Sequence, residues 1–222
     1  KIKNAFLNAY NADPISAFGG VVIFNKSIDE KLANLIISNF FEVIIAPNFN
    51  KKILEIFNKK KRLILIESNK IKRDKKTEIK SINGGYLMQE KNSILFSKKA
   101  MRCVSKKIAL KKQVKDLIFG FKICKHVKSN AVVLVKNEQT IGIGAGQMSR
   151  IDATKIALSK NLLKRKKQGF IAASDAFFPF IDNIKLLIKN NCQAIIQPKG
   201  SINDKVVIEF ANKHNLPLYF SK

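Results

Sequence analysis

Short apolar runs recur along this chain, and stretches with helical spacing separate them. The runs fall at 21–24, 43–46, 63–66, 86–89, 131–135, 140–144, 170–173, 194–196 and 216–219. Each has the length of a strand and is too short for a buried helix. The stretches between them open on capping signals. Ser27-Ile28-Asp29-Glu30 sets a carboxylate three residues after a hydroxyl, and Leu32, Leu35 and Ile36 then share one face. Val114, Leu117, Ile118, Phe121 and Cys124 follow the same spacing. Ser149-Arg150-Ile151-Asp152 opens a helix through Ile156 and Ala157. Ser201-Ile202-Asn203-Asp204 opens another, with Val207, Phe210 and Ala211 inward. Strands alternating with helices restrict the chain to an α/β class of layered sheets covered by helices. The charged, glycine-ended stretch 67–85 reads as a connector between two such halves.

The 222 residues suffice for one large domain or two small ones, and the apolar fraction of 46% is that of a chain with a real core. No apolar run approaches the roughly 20 residues that cross a bilayer, so no membrane partner is expected. The chain shows no signal-peptide pattern and does not open on Met, so it reads as a fragment or a trimmed chain. The net charge of +26 suggests a nucleic-acid partner. The lysines are nevertheless spread over most segments, with 59–62 and 70–76 the densest runs. That is the pattern of a compositional bias with a solvated surface, and a field that draws phosphorylated and polycarboxylate ligands. The three cysteines, Cys103, Cys124 and Cys192, are too few and too scattered for a disulfide framework or a zinc site. A reducing cytoplasm is the expected compartment.

Some segments carry chemistry. Ser129-Asn130 precedes one apolar run, and Gly142, Gly144 and Gly146 precede the capped helix at Ser149-Arg150. Alternating glycines either let a ligand approach the backbone or form a structural bulge. The spacing is not that of a dinucleotide fingerprint. Free N–H groups at the capped helix start favour an anion. Ser174-Asp175-Ala176-Phe177-Phe178-Pro179-Phe180-Ile181-Asp182 sets three Phe around a Pro between carboxylates, either an apolar wall for a flat heterocycle or a core cluster capped by acids. Asn11 to Gly20 reads as a helix end, a turn and paired glycines entering a strand. Lys125-His126 and His214 sit at helix ends, where a cationic cap is the ordinary role.

Taken in chain order, these pieces resemble one family. They are Ala12-Asp13-Pro14 to Gly20, Phe41-Glu42-Val43-Ile44-Ile45-Ala46-Pro47, Lys128-Ser129-Asn130-Ala131, Ile141 to Arg150, Ser174 to Phe180 and Gln197-Pro198-Lys199-Gly200-Ser201. The family is that of the bifunctional purine-biosynthesis enzymes, and the likeness is to their transformylase part. These enzymes join aminoimidazole carboxamide ribonucleotide (AICAR) formyltransferase to inosine monophosphate (IMP) cyclohydrolase. The resemblance runs over nearly the whole chain and is least marked over 50–99.

The resemblance implies formyl transfer from the co-substrate 10-formyltetrahydrofolate to the 5-amino group of AICAR, with no metal. It implies a cytidine-deaminase-like duplicated fold without zinc, and a homodimer. Residues 1–66 would be the remainder of the first deaminase-like half, 67–100 a connector and 101–222 the second half, with the cyclohydrolase domain absent. Gly19, Glu42, Asn130 and Phe177 match nucleotide-contacting positions, Asn130 lying near the reacting amine. Arg150, Ile151, Asp182, Ser201 and Ile202 match positions on the folate side, and Ile202 stands where a small residue is common. Asn130 could supply part of the hold on the developing oxyanion. The family's general base is a His directly after a Lys, in a motif that would lie before Lys1, and its Arg-rich tail would follow Lys222. The chain alone is therefore expected to bind its ligands weakly and not to turn over. A basic nucleic-acid-binding module and a non-catalytic relic are the competing expectations.

Overall fold

The computed structural model describes residues 1–69, 77–92, 96, 98–162 and 168–221. The basic run at 70–76 lies outside the described residues. The chain divides into two compact units, Lys1–Ser93 and Ile94–Lys222.

In the first unit, helix α1 (Ile2–Ala12) leads into a three-stranded parallel sheet of β1 (Gly20–Ile23), β2 (Phe41–Ala46) and β3 (Ile64–Glu67) in that spatial order. Helices α2 (Glu30–Ile37) and α3 (Lys51–Phe57) make the crossovers. Leu32, Ala33 and Ile36 of α2 and Ile53 and Phe57 of α3 are buried together with Phe6 and Ile44, which closes one face of the sheet. The first helical start differs from the expected one. Asp29, not Ser27, is the N-cap of α2, because its carboxylate accepts from Leu32 N–H at 2.7 Å. Strand β4 (Thr77–Ile82) lies within the stretch that composition gives to a connector, and it pairs antiparallel with β5 (Gly85–Glu90), which covers the expected run at 86–89. Gly84, at φ +80°, makes the turn between them.

The second unit is a three-layer α/β/α sandwich. Its six strands are β6 (Met101–Cys103), β7 (Val132–Lys136), β8 (Gln139–Gly144), β9 (Phe170–Ser174), β10 (Cys192–Pro198) and β11 (Leu218–Ser221). They lie in the order β6-β11-β10-β9-β7-β8. β9, β10 and β11 run parallel, while β7 is antiparallel to both β9 and β8. Alternation along β7 sorts the two faces. Val133 and Val135 join Leu117 and Cys124 of helix α4 (Lys111–Cys124) in one core. Val132 and Leu134 join a second core with Ala153 and Ala157 of α5 (Arg150–Ser159), Ile184 and Leu187 of α6 (Asp182–Lys189), and Val207 and Ala211 of α7 (Asp204–Lys213).

The last helix also starts later than its sequence suggests. Ser201 and Ile202 form a turn ahead of it, in which Ser201 Oγ accepts from Asn203 N–H at 3.1 Å and Asp204 accepts from Gly200 N–H at 2.9 Å. Ser149, by contrast, is the N-cap of α5 as its sequence indicates, accepting from Asp152 N–H at 3.1 Å.

Candidate functional site

Because β7 runs against both β9 and β8, the start of β7 and the ends of β8 and β9 meet at one edge of the sheet. This edge is the carboxyl end of the parallel strand β9, where open α/β sheets bind ligands. Three segments supply it: 128–131 before β7, 145–149 between β8 and α5, and 174–178 after β9. Backbone bonds fix the first two to each other, Gly146 N–H to Lys128 O at 2.7 Å and Asn130 N–H to Gln147 O at 3.3 Å. Gly146 takes φ +66° there, a conformation open to glycine. The Ser129–Asn130 peptide bond is cis.

The side chains form one network. Arg150, the first residue of α5, donates Nη2 to Asn130 Oδ1 at 2.6 Å, Nη1 to Ser174 Oγ at 3.2 Å, and Nη1 again to the Asp175 carboxylate. Asn130 Nδ2 donates to Gln147 O at 2.8 Å and to Met148 O at 3.2 Å. Asp175 also accepts from the Ser129 hydroxyl and, at 2.9 Å, from Ala131 N–H. Burial pushes the Asp175 carboxyl up. The hydrogen bonds from Ser129, Ala131 and Arg150, with the charge of Arg150, outweigh it and hold the group below its ordinary range. The side chains of the Arg150–Asp175 pair are 11% and 15% exposed.

Of the residues singled out in the sequence, the structure brings Asn130 and Arg150 into direct contact. Ile151 follows Arg150 and is half-buried. Asp182, the first residue of α6, is exposed, and its carboxylate accepts from Asn183 N–H at 2.7 Å and Asn183 Nδ2 at 3.0 Å. Asn183 in turn accepts from Thr154 of α5 at 2.6 Å, which ties the two helices. The Phe cluster is split. Phe178 is fully buried, Phe177 half-buried and Phe180 62% exposed. Ser201 is half-buried and Ile202 99% exposed. Gly19 and Glu42 lie side by side in the first unit. Gly19 N–H donates to Phe40 O at 3.0 Å, and Glu42 Oε1 is 3.5 Å from the position of a Cβ on Gly19.

Gly142 and Gly144 have a different task from admitting a ligand. A Cβ on either would strike the backbone of α5, 2.2 Å from Ala157 O and 1.8 Å from Ala153 O respectively. They exist so that α5 can lie against β8. From sequence Asp175 is only one of two carboxylates flanking the Phe cluster, and Ser129 and Ser174 carry no assigned contact; in the structure the carboxylate of Asp175 holds the network together. Its partners lie 25 to 46 residues away in the chain, so no local spacing announces them. Among the described residues no cluster of His, Cys, Asp and Glu could hold a metal ion, and no helix is long and apolar enough to cross a membrane.

Comparison with known proteins gives a consistent result. Residues 1–160 match the model of the AICARFT/IMPCHase bienzyme family. The chain is similar to the bifunctional purine biosynthesis protein PurH of Fusobacterium nucleatum, 46% identical over 221 residues that span 100% of this chain and 43% of the relative. It is 41% identical to the Aquifex aeolicus protein of that name, over 99% of this chain and 43% of the relative. The Buchnera aphidicola protein is 45% identical, over 98% of this chain and 42% of the relative. The chain thus spans less than half the length of these curated relatives.

Proposed function

Since this chain belongs to the AICARFT/IMPCHase bienzyme family, we propose that it forms part of a bifunctional purine-biosynthesis enzyme and serves its transformylase reaction. In that reaction the 5-amino nitrogen of AICAR attacks the formyl carbon of 10-formyltetrahydrofolate. The new C–N bond forms, the bond from the formyl carbon to N10 of the folate breaks, and a proton passes from the amine to the departing nitrogen. Polar groups fixed at the site before substrate arrives make such an attack productive.

The observation that carries this reading is the Asn130–Arg150–Asp175 network. It sits at the carboxyl edge of β9 and is built from segments that carry the family resemblance. We assign Asn130 to the reacting amine and half-buried Phe177 to the nucleotide base. Arg150, Ile151, Asp182, Ser201 and Ile202 are assigned to the folate side, Arg150 through the shape it imposes, because its guanidinium bonds inward. Gly19 and Glu42 are assigned nucleotide contacts in the first unit. The net charge of +26 favours the phosphate of the ribotide and the carboxylates of the folate.

A deaminase-like duplication belongs to the same reading. Its support is the shared order of elements: α1-β1-α2-β2-α3-β3 in the first unit and α5-β9-α6-β10-α7-β11 in the second, each with three parallel strands. A homodimer and a reducing cytoplasmic setting complete it, the latter in keeping with three free cysteines.

The test is binding and turnover. The chain is titrated with AICAR and with a non-hydrolysable formylfolate analogue, and formyl transfer is measured with both true substrates. Saturable AICAR binding that random-sequence DNA does not displace supports the reading. Absence of AICAR binding, with salt-sensitive DNA binding in its place, overturns it.

A further inference from the structure

The two ends of the Asn130 amide are alike in shape and opposite in chemistry. Nδ2 gives its two protons to Gln147 O and Met148 O, and Oδ1 receives Arg150 Nη2. A carbonyl oxygen only accepts and a guanidinium only donates, so the amide has one orientation that satisfies all three partners. No Nδ2 proton is left for a ligand, so Asn130 is not the donor to a developing oxyanion that its sequence match suggests. Oδ1 has two lone pairs and keeps one of them. Asn130 therefore offers an incoming molecule an acceptor.

Asp175 holds the group that enforces this. Its carboxylate accepts from Arg150, from the Ser129 hydroxyl and from Ala131 N–H. Ser129 and Ala131 are the chain neighbours of Asn130 on either side. One carboxylate thus fastens the residue before the amide, the residue after it and the guanidinium facing it. Asp175 N–H also donates to Ala131 O at 3.2 Å, so the clamp is set in the backbone as well.

We propose that Asp175 is a positioning residue that acts through Asn130: by anchoring Arg150 and both neighbours it fixes the amide in the one orientation that leaves a lone pair of Oδ1 to accept a hydrogen bond from a substrate N–H. That the substrate N–H is the ribotide amine rests on the function proposed above. The polarity of Asn130 does not. A carboxylate that merely braced the fold would lower stability on removal without moving Asn130.

The experiment uses the full chain labelled with 15N. The Asn130 side-chain NH2 pair is assigned by its loss in Asn130→Asp, and its protons are expected to exchange slowly. In Asp175→Asn their protection falls about tenfold or more, and AICAR affinity falls about tenfold. Asp116→Asn serves as the control. Asp116 is a buried carboxylate on α4 that accepts from the backbone of Asn137 and Glu138 and has no part in the network. It lowers Tm but leaves both readouts at the wild-type value. Arg150→Lys repeats the effect of Asp175→Asn, because an ammonium lacks the planar fork whose separate nitrogens reach Asp175 and Asn130. It decides the matter should Asp175→Asn fail to fold. Protection and affinity both within about twofold of wild type in the folded variant would overturn the proposal. If the wild type has no AICAR affinity, the functional reading fails, and the exchange rates alone still decide whether Asp175 sets Asn130.

Discussion

Gly144 lies so close to Ala153 that a Cβ built on it would stand 1.8 Å from the Ala153 carbonyl oxygen. Gly142 stands in the same relation to Ala157 one helical turn on, at 2.2 Å. The obstacle is helix backbone, which cannot step aside as a side chain can. Gly144→Ala is expected to cost about 3 kcal/mol or more, by forcing α5 off the sheet. Gly85→Ala, where nothing lies within 4 Å of the new methyl, stays within about 0.5 kcal/mol of wild type. Urea denaturation of the two variants makes the comparison. Equal midpoints would mean that α5 does not rest on β8 as described.

The glycines also show what was legible in the sequence. Their spacing marks a backbone that something approaches closely, and that much can be read locally. Whether the visitor is a ligand or a helix depends on where α5 falls, and no window of sequence contains that. The strands were legible because apolar runs bounded by turn residues leave little choice. β4 and β6 were not: every residue of β4 is exposed and no alternation marks it, and β6 is only three residues long with Arg102 at its centre. α6 has only Ile184 and Leu187 as fully buried apolar anchors within eight residues, too short a stretch to stand out beside the Phe cluster before it. At helix starts, Ser, Asp and Asn are all competent caps. Ser27 and Asp29 thus compete, and tertiary packing decides for Asp29. Asn130 and Arg150 could be picked out individually. Their shared dependence on Asp175 is a product of strand order.

Asp175 should reveal itself in acid. Its carboxyl is held below the ordinary range, so the folded state binds fewer protons than the unfolded one in the window just under the unfolded value of about 4. The stability it contributes is complete above that value and is lost as pH falls through the lower, folded value. The stability difference between wild type and Asp175→Asn is therefore expected to be constant near neutrality and to shrink below about pH 4. Denaturation midpoints of both proteins across this range test it. A difference that does not vary with pH would show that the carboxyl titrates alike in the folded and unfolded chain, so that the network does not hold it down.

The β7–β8 turn offers two changes of opposite sign. Asn137 and Glu138 both sit at φ 55°, a region that L-residues other than Asn and Asp enter with difficulty, and the pair forms a two-residue hairpin loop. Buried Asp116 compensates by accepting from Asn137 N–H at 3.0 Å and Glu138 N–H at 2.7 Å. Asp116→Ala removes both bonds and is expected to cost about 1–2 kcal/mol. Glu138→Gly relieves the backbone and keeps the bonds, for a net gain of about 0.5 kcal/mol. Calorimetric Tm values for the two variants should move in opposite directions.

Thiol chemistry reports on whether the sheet interior stays closed. A thiol reacts as its thiolate, so burial slows it twice, by removing access and by raising its pKa. Cys192 is pushed up to about 12 by burial. Cys124 is raised further, first by burial and then by the nearby charge of Asp175. Cys103 is only half-buried, with its sulfur near Ser105 O and Lys107 O at 3.4 Å. At about pH 8 a colorimetric disulfide reagent should therefore modify Cys103 alone in the native protein, and all three cysteines once denaturant is added. Mass spectrometry after quenching identifies the site. Rapid labelling of Cys124 without denaturant would mean that α4 lifts from β7 and β9 on the timescale of the reaction. The core that supports Asn130 and Asp175 from beneath would then be open rather than packed.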